Sequence, residues 1–159
     1  METRTDVAQA VMTGSREVSS HPLEYLFHPR SVAVVGALSD SRKQGYCYVE
    51  QLKLFGFRGR VYPVGPRGGE VLGLRTYASL RDIPDEVDYV ISCVPAGLAV
   101  DLMRDCASKG VKVVHLFTAR LSETGDEERR DLERQMVDVA RAAGIRVIGP
   151  NCMGLYYPR

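Results

Sequence analysis

Five short apolar runs alternate with helical patterns along most of this chain, and this alternation constrains the fold more than any other feature. The runs occupy residues 31–35, 60–64, 89–94, 112–117 and 146–148. They are continuously apolar and rich in β-branched residues, as expected for strands that are buried on both faces. Helical patterns at residues 45–55, 98–108 and 126–143 separate most of them. Strand–helix alternation with short connections predicts an α/β fold, namely a doubly wound, mainly parallel five-stranded sheet with helices on both faces.

Within that architecture, the sequence allows further expectations about order and packing. We expect the strand order 3-2-1-4-5, counting the five runs along the chain. Tyr48, Leu52 and Phe55 are spaced i, i+4, i+7 and predict the inner face of the first helix. Leu132, Met136, Val139 and Ala143 predict that of the last. Gly56, Gly110 and Gly144 follow the three helical patterns and predict their ends.

Length and charge bound the domain organisation and exclude two classes of partner. The chain has 159 residues, enough for one domain with a proper core. Its 21 Lys and Arg residues balance 20 Asp and Glu residues, which argues against a nucleic-acid binder or a membrane-surface binder. Neither a membrane-spanning run nor a signal-peptide core is visible, so we expect a cytoplasmic protein. Residues 1–20 are polar and are expected to form a flexible tail, followed by a single domain over residues 21–159.

The loops that follow the strands indicate where a ligand would bind. Parallel strands end at one edge of the sheet, and ligands of such folds bind in the crevice beyond that edge. A dinucleotide-binding loop would have G-x-G-x-x-G after the first strand and an acidic residue at the end of the second. Here Gly36 and Gly45 are nine residues apart, Leu38 stands where the second glycine should be, and Val64 is followed by Gly65 and Pro66. The pattern therefore disfavours NAD, although an NAD(H)-binding redox or sensor domain of the Rossmann type remains an alternative.

Two motifs resemble those of a known family. The segment LF-x-PRSVAVVGA at residues 26–37 and the segment GPNCMG at residues 149–154 are similar to the CoA-binding domain of the NDP-forming acyl-CoA synthetases and of the succinyl-CoA ligase α subunit. The resemblance extends over residues 26–156. It implies a Rossmann-like domain that binds CoA or acyl-CoA as a module or subunit of an acid–thiol ligase.

The resemblance also implies that other domains or subunits carry out the catalytic steps. In this family the ATP-grasp and phosphohistidine domains lie outside the CoA-binding domain, so they are the expected partner domains or subunits. None of His21, His28 and His115 stands in a phosphohistidine motif, and His115 lies inside an apolar run, which predicts a core residue. We therefore expect this chain alone to be catalytically silent and to have no catalytic residues. A homo-oligomer and a regulatory CoA-binding-like protein whose site has decayed are both compatible with the sequence.

Candidate binding residues come from the loops at the carboxyl edge of the sheet. Arg42, Lys43 and Arg67 could pair with the phosphates of CoA, and a helix beginning near Gly45 could add N–H donors. By resemblance, the loop of Arg67 contacts the CoA phosphates, Val94-Pro95-Ala96 borders the nucleotide and the pantetheine arm, and Asn151 and Cys152 lie near the thiol. The complete set is Gly36, Ala37, Ser39, Arg42, Lys43, Gln44, Gly45, Pro66, Arg67, Val94, Pro95, Ala96, Thr118, Ala119, Arg120, Asn151 and Cys152.

One of these loops departs from the family pattern. The family commonly has SAGFSETG after the fourth strand, whereas Arg120 and Leu121 replace the central Gly and Phe in this chain. An arginine there could narrow the pantetheine channel or supply a cation for an acyl carboxylate. The four cysteines have no metal-like spacing and are expected to be reduced thiols, and no metal site is expected.

Overall fold

The computed structural model describes His21 and residues 23–155, and it contains a five-stranded parallel sheet. The strands in chain order are β1 (Ser31–Val35), β2 (Arg60–Val64), β3 (Glu70–Val71), β4 (Leu74–Arg75), β5 (Tyr89–Ser92), β6 (Val113–Leu116) and β7 (Arg146–Ile148). The sheet order is β2-β1-β5-β6-β7, while β3 and β4 form a separate antiparallel hairpin. The predicted α/β, doubly wound, parallel five-stranded fold is confirmed. The expected N-terminal tail over residues 1–20 lies outside the described residues.

The predicted strand order is wrong. The order 3-2-1-4-5 would place the third parallel strand, β5, outside β2, but β5 pairs with β1 on the other side. The outer edge of β2 is partly covered by the chain that leaves the hairpin, since Tyr77 N donates to Pro63 O (3.0 Å) and Gly65 N donates to Tyr77 O (2.9 Å). Pro63 has no N–H to donate, which restricts it to an edge strand. This proline was the sequence signal that β2 ends the sheet.

Among the described residues, four α-helices lie on the faces of the sheet. They are α1 (Glu24–Phe27), α2 (Gln44–Leu54), α3 (Ala99–Lys109) and α4 (Glu127–Ala142). One core cluster joins α3 and α4 to the sheet through residues such as Met103 and Met136, both 1% exposed. The other cluster joins α2 to the opposite face through Val49 and includes Tyr25 and Leu26 of α1. Helices on both faces are the arrangement that the sequence predicts.

The prediction that Phe55 and Ala143 lie on the inner faces of their helices is wrong. Phe55 is 80% exposed, and Ala143 is exposed as well. Each is the first residue after the end of its helix, so the helical periodicity no longer directs its side chain toward the sheet. Val49 and Ala140 are the buried residues instead. The glycines that follow, Gly56 and Gly144, adopt the left-handed backbone of a helix end, as predicted.

An ion pair between the half-exposed Arg30 and the buried Asp88 fixes the start of β1 at the opposite edge of the sheet from the candidate site. Arg30 N and Nε both donate to Asp88 Oδ2 (2.9 Å each), and Nη2 donates to Oδ1 (2.8 Å). The Asp88 side chain is only 2% exposed. Burial alone would raise the pKa of Asp88, but the hydrogen bonds and charge of Arg30 together hold it below its usual value.

In the part of the chain described here, no helix has both the length and the apolar character needed to cross a membrane.

Candidate functional site

A cavity of about 420 Å³ opens at the carboxyl edge of the sheet, between the loops that follow β1 and β2. Residues of the first loop, the second loop and the β3 strand line it. They are Ala37, Leu38, Ser39, Asp40, Arg42, Gly65, Arg67, Gly68 and Val71. The volume falls within the range of small-molecule sites.

The wall of this cavity is made of closely packed backbone. Gly36 N and Ala37 N both donate to Val64 O (2.9 and 3.0 Å), which ties the first loop to the end of β2. A Cβ atom on Gly65 would meet Ala37 O at 2.5 Å, and a Cβ on Gly45 would meet Ala37 Cα at 2.8 Å. Neither approach leaves room for a side chain. Glycine at these positions therefore lets three backbone segments meet.

Two arginines of the cavity differ in their partners. Arg42 is paired with Asp40: its Nε donates to Oδ1 and its Nη2 to Oδ2, both at 3.0 Å. These hydrogen bonds raise the pKa of Arg42 and lower the pKa of Asp40. Arg67 is exposed and forms no ion pair with any of the residues described by the structure. Since Asp40 balances Arg42, Arg67 is the cation of the cavity that remains available to an anion.

A second group of loops lies at the same edge, after β5, β6 and β7, and Thr118 joins them. Its hydroxyl Oγ1 donates to Val94 O (2.9 Å) and lies 2.8 Å from Ser92 Oγ, while its carbonyl accepts from Asn151 N (3.0 Å). Thr118 is only 3% exposed. The hydroxyl is thus engaged within the protein, so this predicted ligand contact holds loops in place instead of offering a free polar group.

Arg120 occupies a strained backbone position on the loop after β6. Its φ of 67° lies in the left-handed region, which favours glycine over residues with a side chain. The Glu123 carboxylate supports the turn by accepting from Arg120 N (2.6 Å) and Leu121 N (2.8 Å). The Arg120 side chain is exposed. A glycine at this position would satisfy the backbone without strain, which is a conformational reason for the residue that the resembling family has here.

The segment after β7 is tied to the sheet by several hydrogen bonds. Cys152 N donates to Leu116 O (3.1 Å), and His115 Nε2 lies 2.8 Å from Cys152 O. His115 is 2% exposed, and its burial lowers its pKa, so it belongs to the core as the sequence predicts. Cys152 is half-buried. Burial raises the pKa of the Cys93 thiol, on the loop after β5, to about 12. Among the residues with described positions, no group of His, Cys, Asp or Glu side chains is arranged to hold a metal ion.

The cavity brings together only part of the predicted set. Ala37, Ser39, Arg42 and Arg67 line it, and Gly36 and Gly45 form the packed backbone beside it. The remaining predicted residues are on the loops and the helix start near this edge but do not line the cavity; they are Lys43, Gln44, Pro66, Val94, Pro95, Ala96, Thr118, Ala119, Arg120, Asn151 and Cys152.

Sequence reasoning missed five lining residues, namely Leu38, Asp40, Gly65, Gly68 and Val71. Gly65 and Gly68 lie on either side of Arg67, and Asp40 lies two residues before Arg42. Their closeness in sequence to predicted site residues could therefore have identified these three as lining residues. Nothing in the sequence marks Val71, because the turn of the β3–β4 hairpin brings it to the cavity.

Comparison with known proteins gives consistent relatives. The alpha subunit of an ADP-forming acetate–CoA ligase II from Pyrococcus furiosus is 44% identical over 133 residues, which cover 84% of this chain and 29% of the relative. A dinucleotide-forming acetyl-coenzyme A synthetase from Ca. Korarchaeum cryptofilum, solved in complex with phosphate and ADP, is 41% identical with a TM-score of 0.79; the match covers 84% of this chain and 28% of that one. This chain therefore spans less than a third of the length of these relatives.

A smaller solved protein is similar over most of both chains. It is a hypothetical protein from Pyrococcus horikoshii, 28% identical with a TM-score of 0.66, and the match covers 83% of this chain and 84% of that one. The family model described as "CoA binding domain" matches residues 30–158 of this chain. The match and the relatives confirm the resemblance inferred from the two motifs: the chain belongs to the CoA-binding domain family found in the ADP-forming acyl-CoA synthetases.

Proposed function

We propose that this domain binds CoA or an acyl-CoA, with the phosphates of the ligand in the cavity between the loops after β1 and β2. The observation that carries the proposal is Arg67, an exposed arginine without an ion-pair partner among the described residues, beside a cavity whose wall is loop backbone. A guanidinium forms short, charge-assisted hydrogen bonds with phosphate oxygens. Ligand binding at this edge also fits the general behaviour of open parallel sheets.

The pantetheine arm is proposed to run from the cavity toward the loops after β6 and β7. These loops meet through the hydrogen bond from Asn151 N to Thr118 O (3.0 Å). In this arrangement Asn151 and Cys152 lie toward the thiol end of the ligand, and the exposed Arg120 side chain is close enough in the chain to affect the acyl group.

The alternative ligand, NAD(H), finds less support in the cavity. A dinucleotide site uses an acidic residue at the end of the second strand for the ribose hydroxyls, and here Gly65 and Pro66 follow β2. Asp40 is the carboxylate among the lining residues, and both of its oxygens accept hydrogen bonds from Arg42. These contacts favour CoA over NAD.

The wider role is proposed from the relatives. We infer that the domain serves an NDP-forming acyl-CoA synthetase together with ATP-grasp and phosphohistidine domains or subunits, and that it is catalytically silent alone. The relatives that carry this proposal are CoA ligases whose length the chain covers only in part. A cytoplasmic location and a homo-oligomeric state stay predictions.

Mapping of ligand-induced amide shifts by NMR tests the proposed site. Adenosine 3′,5′-bisphosphate should shift the amides of Ala37, Gly65 and Gly68 in ¹⁵N-labelled protein, and CoA should in addition shift those of residues 118–120 and 151–153. The amides of α4, on the far side of the sheet from α2, serve as the internal reference. Saturable shifts confined to other surfaces, or no shifts with CoA, would contradict the proposed site.

A further inference from the structure

Two side chains from different elements hold the segment that follows β7. The Cys152 carbonyl accepts from His115 Nε2 of β6 at 2.8 Å, and the Met153 carbonyl accepts from the Tyr48 hydroxyl of α2 at 2.8 Å. These two successive carbonyls are therefore fixed from two directions. Met153 is otherwise largely exposed, at 73% of its surface.

Tyr48 and His115 form one packed unit. Their rings meet edge to face with centroids 5.8 Å apart and an interplanar angle of 87°. Tyr48 makes a second edge-to-face contact with Phe117 at 5.9 Å. Such pairs restrict the rings to a defined orientation. The ring contacts therefore help to orient the hydroxyl of Tyr48 and the imidazole of His115 toward the segment.

Both groups are in the protonation state that this geometry needs. Burial raises the pKa of Tyr48 to about 12, so the phenol keeps its proton and donates it to Met153 O. Burial lowers the pKa of His115, so the imidazole is neutral near pH 7. A carbonyl oxygen only accepts, and the neutral ring therefore carries its proton on Nε2.

The same helix also contacts the candidate cavity. Gly45, three residues before Tyr48 in α2, packs against the backbone of Gly36 and Ala37. Helix α2 thus contacts the loop that lines the cavity with one turn and the segment after β7 with the next. Loss of the Tyr48 hydroxyl is therefore expected to remove the second contact and to leave the first, which involves Gly45.

We propose that Tyr48 and His115 are positioning residues that hold residues 151–153 in place for the end of the ligand opposite its phosphates. This inference rests on the proposed function, because it assigns that end to the pantetheine thiol of CoA. Neither side chain is proposed to touch the ligand or to react. Their effect is to set the backbone of the segment, so they act on the affinity for the pantetheine part and leave the nucleotide part unaffected.

The variant Tyr48→Phe tests the proposal, since it removes one hydroxyl and keeps the ring contacts. We expect CoA to bind about 3- to 10-fold more weakly, as for the loss of one hydrogen bond, while adenosine 3′,5′-bisphosphate binds as before. Tyr62→Phe is the matched control, because it removes a tyrosine hydroxyl that donates to Asp85 Oδ2 at 2.6 Å, in the core cluster on the other face of the sheet. His115→Gln, which keeps an N–H donor, should retain more CoA affinity than His115→Leu.

A second readout does not depend on the ligand. The Cys152 thiol lies in the segment, so its rate of alkylation in the ligand-free protein, followed by peptide mass spectrometry, should rise in Tyr48→Phe and stay unchanged in Tyr62→Phe. The proposal is overturned if Tyr48→Phe binds CoA as tightly as the parent chain, or if it weakens both ligands equally. If the parent chain binds neither ligand, the proposed function itself is contradicted, and the alkylation rates then report separately whether Tyr48 holds the segment.

Discussion

Gly45 lies against the backbone of Gly36 where helix α2 passes the end of strand β1. A Cβ atom on Gly45 would overlap the Gly36 carbonyl and would stand 2.8 Å from Ala37 Cα, so the helix can approach the loop only because Gly45 lacks a side chain. The contact sets the position of Ala37, which lines the cavity. It is the structural relationship on which the shape of the candidate site depends.

We predict that Gly45→Ala destabilises the protein, although alanine normally stabilises a helix by about 1 kcal/mol relative to glycine. The added methyl group must displace backbone, at a cost of about 1–3 kcal/mol for overpacking. Denaturant unfolding measures the change, and Gly97→Ala is the control because a Cβ there would meet no heavy atom within 4 Å. Equal stability of the two variants would show that the helix and the loop can separate without cost.

The left-handed backbone of Arg120 leads to the opposite expectation for a change to glycine. Arg120→Gly should stabilise the protein by about 0.5–1 kcal/mol, since relief of the left-handed conformation exceeds the greater entropy of glycine in the unfolded chain. Arg120→Ala removes the charge but keeps the Cβ, so it should give no such gain in thermal unfolding. A similar gain in both variants would instead assign the effect to the charge.

The Arg120 side chain also has a predicted effect on ligand binding. If it crowds the pantetheine arm, Arg120→Gly should tighten CoA binding and leave adenosine 3′,5′-bisphosphate unchanged, and this is the outcome that we expect. The alternative role, as a cation for an acyl carboxylate, would appear as a preference of the parent chain for succinyl-CoA over acetyl-CoA that the glycine variant loses. Calorimetry with these ligands decides between the two roles.

The ion pair between Asp40 and Arg42 predicts how charge in the cavity limits binding. Asp40→Asn removes a negative charge and frees the Arg42 guanidinium, so CoA should bind more tightly at low ionic strength, with a smaller gain at high ionic strength. Asp105→Asn is the control. Asp105 forms an ion pair with Arg81 (2.5 Å), and neither residue lines the cavity. Weaker CoA binding by Asp40→Asn would contradict this expectation and would mean that the carboxylate contacts the ligand.

The fold could be predicted from the sequence to the level of its elements but not of their order. Continuous β-branched runs identify buried strands whatever their neighbours are, and the predicted strand positions hold. The order of the strands depends on the direction in which each connection crosses the sheet, which local patterns do not encode. Pro63 is a local signal that the predicted order 3-2-1-4-5 did not use, since a residue without an N–H favours an edge strand.

The candidate site was predictable where its residues are neighbours in sequence. Arg67 lies among glycines in a loop directly after a strand, and both features are local. By contrast, the bond between Tyr48 and Met153 joins residues 105 positions apart, and the periodicity of α2 identifies Tyr48 only as an inner-face residue. The role of Arg42 also depends on its ion pair with Asp40. That pairing is set by the conformations of the two side chains, which the sequence pattern does not specify.

The most direct test of the central claim is calorimetry of this chain with CoA, dephospho-CoA and NAD. The account predicts that CoA binds most tightly, dephospho-CoA more weakly and NAD most weakly. CoA should bind more tightly than dephospho-CoA because the cations near the cavity attract the 3′-phosphate that dephospho-CoA lacks. Arg67→Ala should weaken CoA binding by about 1.5–3 kcal/mol, the loss expected for hydrogen bonds to a charged group, with little change in Tm. Arg81→Ala is the control, because it removes an exposed arginine that does not line the cavity, and it should leave the affinity for CoA unchanged. Tighter binding of NAD than of CoA by the parent chain would contradict the account.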